Sequence, residues 1–213
     1  MFETSKAVMR RLHDSRFATR YFVGRGIDIG AGDDALGQYG ELFPLMVECR
    51  AWDLQDGDAQ LLAGVPDNAF DFAHASHCLE HMRDPREALK NWLRAVRPGG
   101  HLVVLVPDED LYEQGVFPST FNIDHKWTFT LHKAKSWSAK SVNVLALLGE
   151  FADRAQTVKV ELLDAAFRFG VGRLDQTMTP IAESAIEFVL RKPLPVELKR
   201  GGRYADDGHA GGF

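Results

Sequence analysis

The chain has 213 residues, of which 45% are hydrophobic and 26% are charged, and its formal net charge is −5 at pH 7. This length suits one domain with a sizeable core and leaves little room for a second, and the composition is that of a globular protein rather than a disordered one. The negative charge gives no bulk attraction to nucleic acid, so we do not expect a nucleic-acid partner.

The sequence also bears on the compartment. Its two cysteines, Cys49 and Cys78, are too few for a disulfide framework, which favours a reducing environment. The first 25 residues are rich in charge and lack the apolar region of a signal peptide. No apolar run approaches the roughly 20 residues that span a bilayer. We therefore expect a cytoplasmic protein without a membrane span.

Helices and strands alternate in the first part of the chain. Residues 6–22 mix apolar and basic side chains in a pattern that favours a helix over one edge of a sheet. Strands are predicted at 26–30, at 47–52 and at 69–75, and turn residues bound them. This order favours an α/β fold with parallel strands joined by right-handed crossovers.

The next helix has clear boundary signals. Asp84 is a candidate N-cap, Pro85 occupies the first helical position, and Glu87 is placed to complete a capping box. An apolar stripe follows at helical spacing and ends at the Pro-Gly-Gly sequence 98–100. Residues 101–106 are almost continuously apolar, which is typical of a strand buried on both faces of a parallel sheet.

The C-terminal part carries weaker signals. We predict a helix at 137–151 and two strands, 158–163 and 185–190, that are joined by a long loop. The last residues, 199–213, are rich in glycine and charge and are predicted to be disordered. The sequence therefore predicts a single domain over residues 1–198.

A glycine turn follows the first predicted strand. Residues 30–35 fit the G-x-G-x-x-A pattern of dinucleotide-binding turns. Three carboxylates surround this turn, those of Asp28, Asp33 and Asp34, and they would repel a pyrophosphate. The ammonium and sulfonium groups of S-adenosylmethionine suit them better. Asp53, which ends the next predicted strand, is a candidate for binding ribose hydroxyls. In the alternative interpretation these acids are ordinary strand-end or capping residues.

Taken in order, several segments resemble class I S-adenosylmethionine-dependent methyltransferases, in particular those called methyltransferase type 11-like. The similar segments are 26–32, 58–59, 66–72, 76–81 and 93–100. The resemblance implies a Rossmann-like three-layer sandwich, with a mostly parallel sheet that ends in a C-terminal antiparallel hairpin. It also implies S-adenosyl-L-methionine as the cofactor.

The resemblance assigns roles to particular residues. The assigned cofactor-binding residues are Asp28, Ile29, Gly30, Ala31 and Gly32 at the methionine end, Asp53 at the ribose, Asp58 and Ala59 at the adenine, and Ser76 and His77 over the cofactor. The family usually has a helix and a strand between the ribose acid and the adenine acid. Here only residues 54–57 separate them, so we expect a strand or helix to be lost or shortened after the second strand.

Candidate catalytic residues follow the third predicted strand. Methyl transfer to an oxygen can need a base, and we expect His81 or His125, with Glu80 nearby, to serve near neutral pH. The alternative is that Glu80 and His81 only cap or pack. The candidate substrate-binding residues are Asp108, Tyr112, Asp124 and Trp127. The expected acceptor is an oxygen, or a nitrogen, of a small-molecule or glycan-type substrate.

Two further alternatives remain open at this point, a cofactor-binding partner subunit without catalysis and an NAD-dependent oxidoreductase. A third question concerns metal binding, because residues 77–81 read H-x-x-E-H, a spacing that binds zinc in some peptidases. Since the resemblance places His77 against the cofactor, we expect no metal at this motif.

Overall fold

A computed structural model describes residues 3–203. In chain order its strands are β1 (Gly24–Ile29), β2 (Met46–Trp52), β3 (Phe70–Ser76), β4 (Val96–Pro107), β5 (Thr128–Thr130), β6 (Ser141–Asn143), β7 (Gln156–Leu163) and β8 (Ala185–Arg191). Its α-helices are α1 (Glu3–Arg11), α2 (Pro85–Ala95), α3 (Val144–Gly149) and α4 (Pro195–Arg200). Among these helices, none combines the length and apolar character needed to cross a membrane.

One mixed sheet organises the molecule. Its six strands lie in the order β2-β1-β3-β4-β8-β7, and β5 pairs with β6 in a separate small sheet. The first four strands of that order are parallel, whereas β8 runs antiparallel to β4 and β7 antiparallel to β8. This arrangement confirms the predicted Rossmann-like α/β fold with a C-terminal antiparallel hairpin.

The expected shortening after β2 is present. Residues 53–69 run from β2 to β3 through turns and contain neither a helix nor a strand. As a result β2 is the edge strand of the sheet, and this segment packs beside α2 instead. Trp92 of α2 donates its indole N–H to the carbonyl of Ala59 at 2.8 Å.

Side chains bury both faces of the sheet, which makes the fold a three-layer sandwich. On one face Leu102 and Val104 of β4 belong to the same apolar cluster as Trp92 of α2. On the other face the intervening Val103 packs with an aromatic cluster that includes Phe22. This alternation is the period-2 pattern of a strand with two buried faces, and each fully buried large apolar side chain contributes about 1.5–3 kcal/mol.

The N-terminal segment is not one helix. The predicted helix 6–22 is wrong in extent, because α1 ends at Arg11 and a separate π-helical turn spans Phe17–Tyr21. Between them the Asp14 carboxylate accepts a hydrogen bond from the Arg16 backbone N–H at 3.1 Å. Such a local side-chain bond competes with helical hydrogen bonding, and it lies in the break between the two helical segments.

The predicted helix 137–151 is also too long. Residues 141–143 form β6, and α3 begins only at Val144. Asn143 is the N-cap, since its side-chain oxygen accepts from the Ala146 N–H at 3.1 Å. Residues 141–143 form a strand instead of a helix because they pair with β5, which lies outside the 137–151 segment.

The C-terminal prediction needs one correction. Residues 199 and 200 were assigned to a disordered tail, but they complete α4. Glu197 of this helix pairs with Arg191 of β8 at 2.8 Å, and this contact holds the helix against the sheet. Residues 204–213 of the predicted tail lie outside the described residues.

Candidate functional site

A cavity of about 210 Å³ lies at the carboxyl ends of β1 and β3. This is where parallel α/β sheets bind ligands. The cofactor-assigned residues that line it are Asp28, Gly30, Ala31, Gly32, Ser76 and His77. The catalytic candidates Glu80, His81 and His125 line it as well. The fold thus brings most of the predicted cofactor and catalytic residues together.

The glycine turn forms one wall of the cavity and needs glycine for two reasons. Gly30 and Gly32 have φ angles of +72° and +52°, which other residues rarely adopt. A Cβ on Gly30 would also lie 2.6 Å from the Cys78 Sγ. The Gly32 N–H donates to Asp53 Oδ2 at 3.1 Å, so the acid after β2 braces the turn. The Ile29 side chain, in contrast, is fully buried in the core.

Asp28 is part of a buried polar chain. Its side chain is almost fully enclosed, with Oδ2 accepting from the Leu36 N–H and Oδ1 from His74 Nδ1, both at 2.6 Å. His74 Nε2 then accepts from the Arg11 guanidinium at 3.1 Å. Both Asp28 oxygens therefore have protein partners. That Asp28 also holds the ammonium of a cofactor stays a prediction.

The residues assigned to the adenine do not line this cavity, and their role stays a prediction. Asp58 is exposed and pairs with Arg83 at 2.7 Å, and this hydrogen bond holds the pKa of Asp58 below its usual range. The carbonyl of Ala59 faces Trp92. Neither residue lines the cavity, and Asp53 reaches it only through Gly32. The physical reason is the short connection after β2, which packs its turns beside α2.

The turn after β3 carries two charged side chains toward the cavity. His77 has a φ of +51°, and its Nδ1 lies 3.4 Å from Glu80 Oε1. Its Nε2 is 3.9 Å from Glu3 Oε2. Burial acts to lower the pKa of His77, but the carboxylates of Glu80 and Glu3 outweigh it and raise that pKa. Burial likewise acts to raise the pKa of Glu80, and His77 reverses that effect.

Glu80, His81 and His125 converge beside this turn. Each offers a ligating atom, and these atoms lie within 4.8 Å of one another. His125 Nδ1 is 2.6 Å from Glu113 Oε1, and His81 Nδ1 is 3.2 Å from the Asp124 carbonyl oxygen. Such a group can accept a proton or hold a metal ion.

Of the four predicted substrate-binding residues, only Tyr112 lines the cavity, where its ring lies 5.3 Å from that of His125. Asp108 caps the helical turn after β4, and burial raises its pKa to about 6. Asp124 is exposed and meets His81 only through its carbonyl. The Trp127 side chain packs against the core. Capping therefore occupies the Asp108 side chain and packing the Trp127 side chain, whereas the Asp124 side chain is exposed.

Three residues near the site were not predicted. Glu3 and Thr4 line the cavity from α1, and Glu113 supports His125. No local motif marks Glu3 or Thr4, because long-range packing of α1 brings them there. Glu113 carried one usable signal, since it ends the acidic segment 108–113 that follows the strand.

Comparisons with known proteins agree with this fold. The profile of a family described as a methyltransferase domain matches residues 3–146. A SAM-dependent methyltransferase from Archaeoglobus fulgidus is similar in structure, with 16% identity, a TM-score of 0.55, and 90% of this chain and 95% of that one covered. A second one, from Clostridium acetobutylicum, has 8% identity, a TM-score of 0.51, and coverages of 91% and 93%. No curated protein matches the chain significantly.

The chemistry of the cavity fits the cofactor of this family. Among the described residues that line it, five are carboxylates and none is Lys or Arg; the five are Glu3, Asp28, Asp33, Asp34 and Glu80. Such a wall suits the ammonium and sulfonium groups of S-adenosyl-L-methionine and disfavours the pyrophosphate of NAD. Since the family profile matches more than half of the chain and the fold and cavity agree with it, this protein belongs to the class I S-adenosyl-L-methionine-dependent methyltransferases.

Proposed function

We propose that this enzyme methylates an oxygen of a neutral small-molecule or sugar-containing acceptor. The observation that carries the proposal is the convergence of Glu80, His81 and His125 on the cofactor cavity. A hydroxyl group must lose its proton as it is methylated, and positioned proton acceptors assist that loss. A nitrogen acceptor is the second candidate. A neutral amine can attack the methyl group with its lone pair and depends less on a base than a hydroxyl does.

Charge supports a neutral acceptor. The cavity wall is rich in carboxylates, and its described residues include no Lys or Arg to bind an anionic group. An acidic metabolite would therefore be repelled near the site of transfer. The Tyr112 ring lines the cavity beside His125 and adds apolar surface next to which a sugar or another ring can bind.

The residues divide into binding and proton-handling roles. S-adenosyl-L-methionine supplies a methyl group that its sulfonium has already activated. The glycine turn and Asp28 bind it, and Ser76 and His77 close over it. His125 donates its Nδ1–H to Glu113, which orients the ring and leaves Nε2 free to take the acceptor's proton.

The test is methyl transfer from labelled S-adenosyl-L-methionine to matched acceptor pairs, an alcohol against the corresponding amine and a neutral sugar against its uronic acid. We expect transfer to the neutral oxygen acceptors. In His125→Ala, turnover should fall by roughly 10²–10⁴-fold while binding of S-adenosylhomocysteine is retained. His13→Ala is the matched control, because His13 is exposed and does not line the cavity.

Two results would contradict the proposal. Transfer to amines alone would reject oxygen as the acceptor atom. Full turnover in both His81→Ala and His125→Ala would show that neither imidazole is essential and that alignment of the reactants suffices.

A further inference from the structure

We infer that Glu80, His81 and His125 form a binding site for one divalent transition-metal ion, with Zn²⁺ the best fit. The inference departs from the sequence-based expectation of no metal. It keeps Glu80 and His81 of the H-x-x-E-H motif and takes His125 in place of His77. The ligating atoms of the three residues lie within 4.8 Å of one another.

Both imidazoles are held in the tautomer that a metal requires. The Asp124 carbonyl can only accept, so His81 Nδ1, at 3.2 Å, must carry the proton. The Glu113 carboxylate fixes His125 Nδ1 in the same way at 2.6 Å. Each Nε2 atom is then left with a free lone pair. Metal-ligating histidines almost always have such an oxygen acceptor on their second nitrogen.

The Glu80 carboxylate has a histidine neighbour but no hydrogen bond within residues 3–203. The residue is fully buried, and neither side-chain oxygen has a hydrogen-bond partner among the described residues. Buried carboxylates without hydrogen bonds are costly, so they are normally paired or coordinate a metal. His125 Nε2 lies 3.9 Å from Glu80 Oε1, so an unpartnered carboxylate oxygen is close to the free imidazole nitrogen.

A competing explanation is that His77 balances this charge. Its Nδ1 is 3.4 Å from Glu80 Oε1, but the geometry does not make a hydrogen bond. His77 is also shared with Glu3, whose Oε2 is buried without a hydrogen-bond partner. Glu113 adds a third buried carboxylate beside His125. Lys6 pairs with Glu3 at 2.8 Å, which leaves the His77 imidazolium to offset Glu80 and Glu113. One imidazolium does not offset these two carboxylates, and a divalent cation supplies the missing positive charge.

The donor set favours zinc among the common ions. Two imidazole nitrogens and one carboxylate oxygen are a known zinc ligand set that leaves a coordination position open. Ligands about 2.0–2.1 Å from a tetrahedral ion lie about 3.3 Å from one another, so the site must contract slightly on binding. The neighbouring cavity leaves space for a further oxygen ligand.

The role of this ion in catalysis rests on the proposed function. A divalent cation beside the transfer site can bind the acceptor's oxygen and lower the pKa of its hydroxyl, which then loses its proton to water. In that case both Nε2 atoms are ligands, and neither serves as the base.

Metal binding is tested on the full-length protein without cofactor or acceptor. A chelator first removes any bound metal. Zn²⁺ alone is then titrated into the protein, and calorimetry measures its binding. We expect one equivalent of Zn²⁺ per chain and at least a tenfold loss of affinity in Glu80→Gln and in His125→Ala. His13→Ala should bind as the wild type does. The absorption spectrum of bound Co²⁺ in the wild type provides a second readout that does not depend on any variant folding.

The outcomes separate this inference from the proposed function. Absence of stoichiometric Zn²⁺ and Co²⁺ binding by the wild type would overturn the metal site, as would unchanged affinity in folded Glu80→Gln and His125→Ala. Binding of S-adenosylhomocysteine is measured in parallel. If it binds and Zn²⁺ does not, the metal site fails and the base mechanism stands. If Zn²⁺ binds and no acceptor is methylated, the proposed function fails and the site stands.

Discussion

The two glycines of the cofactor turn share a left-handed backbone but differ in the space around them. A Cβ on Gly30 would meet the Cys78 side chain, with Sγ at 2.6 Å and Cβ at 2.9 Å. A Cβ on Gly32 would meet no atom within 4 Å. Backbone strain is therefore common to both positions, whereas a steric clash with the turn after β3 is specific to Gly30.

Alanine substitution separates these two effects. Gly32→Ala should cost about 1–2 kcal/mol of stability from backbone strain alone. Gly30→Ala should cost about 1–3 kcal/mol more, because Cys78 must move, and it should weaken S-adenosylhomocysteine binding more strongly. Urea unfolding and calorimetry measure both. Equal losses of stability in the two variants would show that the clash is absorbed without cost.

At the scale of elements, one glutamine joins the shortened connection to the start of α2. Asp84 caps the helix as predicted, but Glu87 does not complete a capping box. Its carboxylate instead accepts from Gln60 Nε2, and Gln60 Oε1 accepts from the Asp84 N–H at 3.0 Å. Gln60 is almost fully buried. It therefore satisfies the donor that a capping box would have satisfied.

We predict that Gln60→Ala destabilises the protein more than loss of the cap itself. Gln60→Ala leaves the Asp84 N–H without its partner and should cost about 1–3 kcal/mol, whereas Asp84→Ala should cost about 1 kcal/mol. Gln55→Ala, at an exposed position of the same connection, is the control and should change little. Urea unfolding would refute this role of Gln60 if its variant matched the Gln55 control.

Across the whole molecule, one buried carboxylate ties the first helix to the last strand. Glu187 of β8 accepts from Arg11 at 2.8 Å and from Arg10 at 3.0 Å, and Lys159 of β7 lies 2.6 Å away. Burial alone would raise the pKa of Glu187, but these three cations hold it well below its usual range. Glu183 also pairs with Arg10, and Glu161 contacts Lys159 at the edge of this cluster.

This cluster should make the protein sensitive to acid. Because the folded-state pKa of Glu187 is depressed, its stabilisation is fully present above the unfolded pKa of about 4.3 and is lost as pH falls below it. Glu187→Gln should cost about 3–5 kcal/mol at pH 7, since Arg11 is left buried and unpaired. The difference from wild type should be constant between about pH 5 and 7 and should shrink below about pH 4.

Urea unfolding from pH 3 to 7 measures this prediction. Glu161→Gln is the control, because Glu161 contacts Lys159 from a half-exposed position. A Glu187→Gln variant with the stability of the control, or with a pH-independent deficit, would show that the cluster does not stabilise the fold as argued.

Features that depend on neighbouring residues could be predicted from the sequence. The strand positions, the N-cap at Asp84 and the glycine turn all follow from local periodicity and backbone preference. The loss of an element after β2 was predictable too, since the segment from Asp53 to Asp58 is too short to hold one. Helix boundaries were less predictable where strand pairing set them. The start of α3 is an example, because the preceding residues pair as β6 with β5.

Which side chains meet at the site depends on long-range packing and could not be predicted from the sequence. His81 and Asp124 are 43 residues apart, and Arg11 and Glu187 are 176 apart. No local pattern encodes such contacts, because they arise when helices and loops pack on the sheet. The same packing turned Asp58 toward Arg83 and brought Glu3 over the cavity. The order of motifs along the chain therefore indicated the cofactor, while packing decided which groups face it.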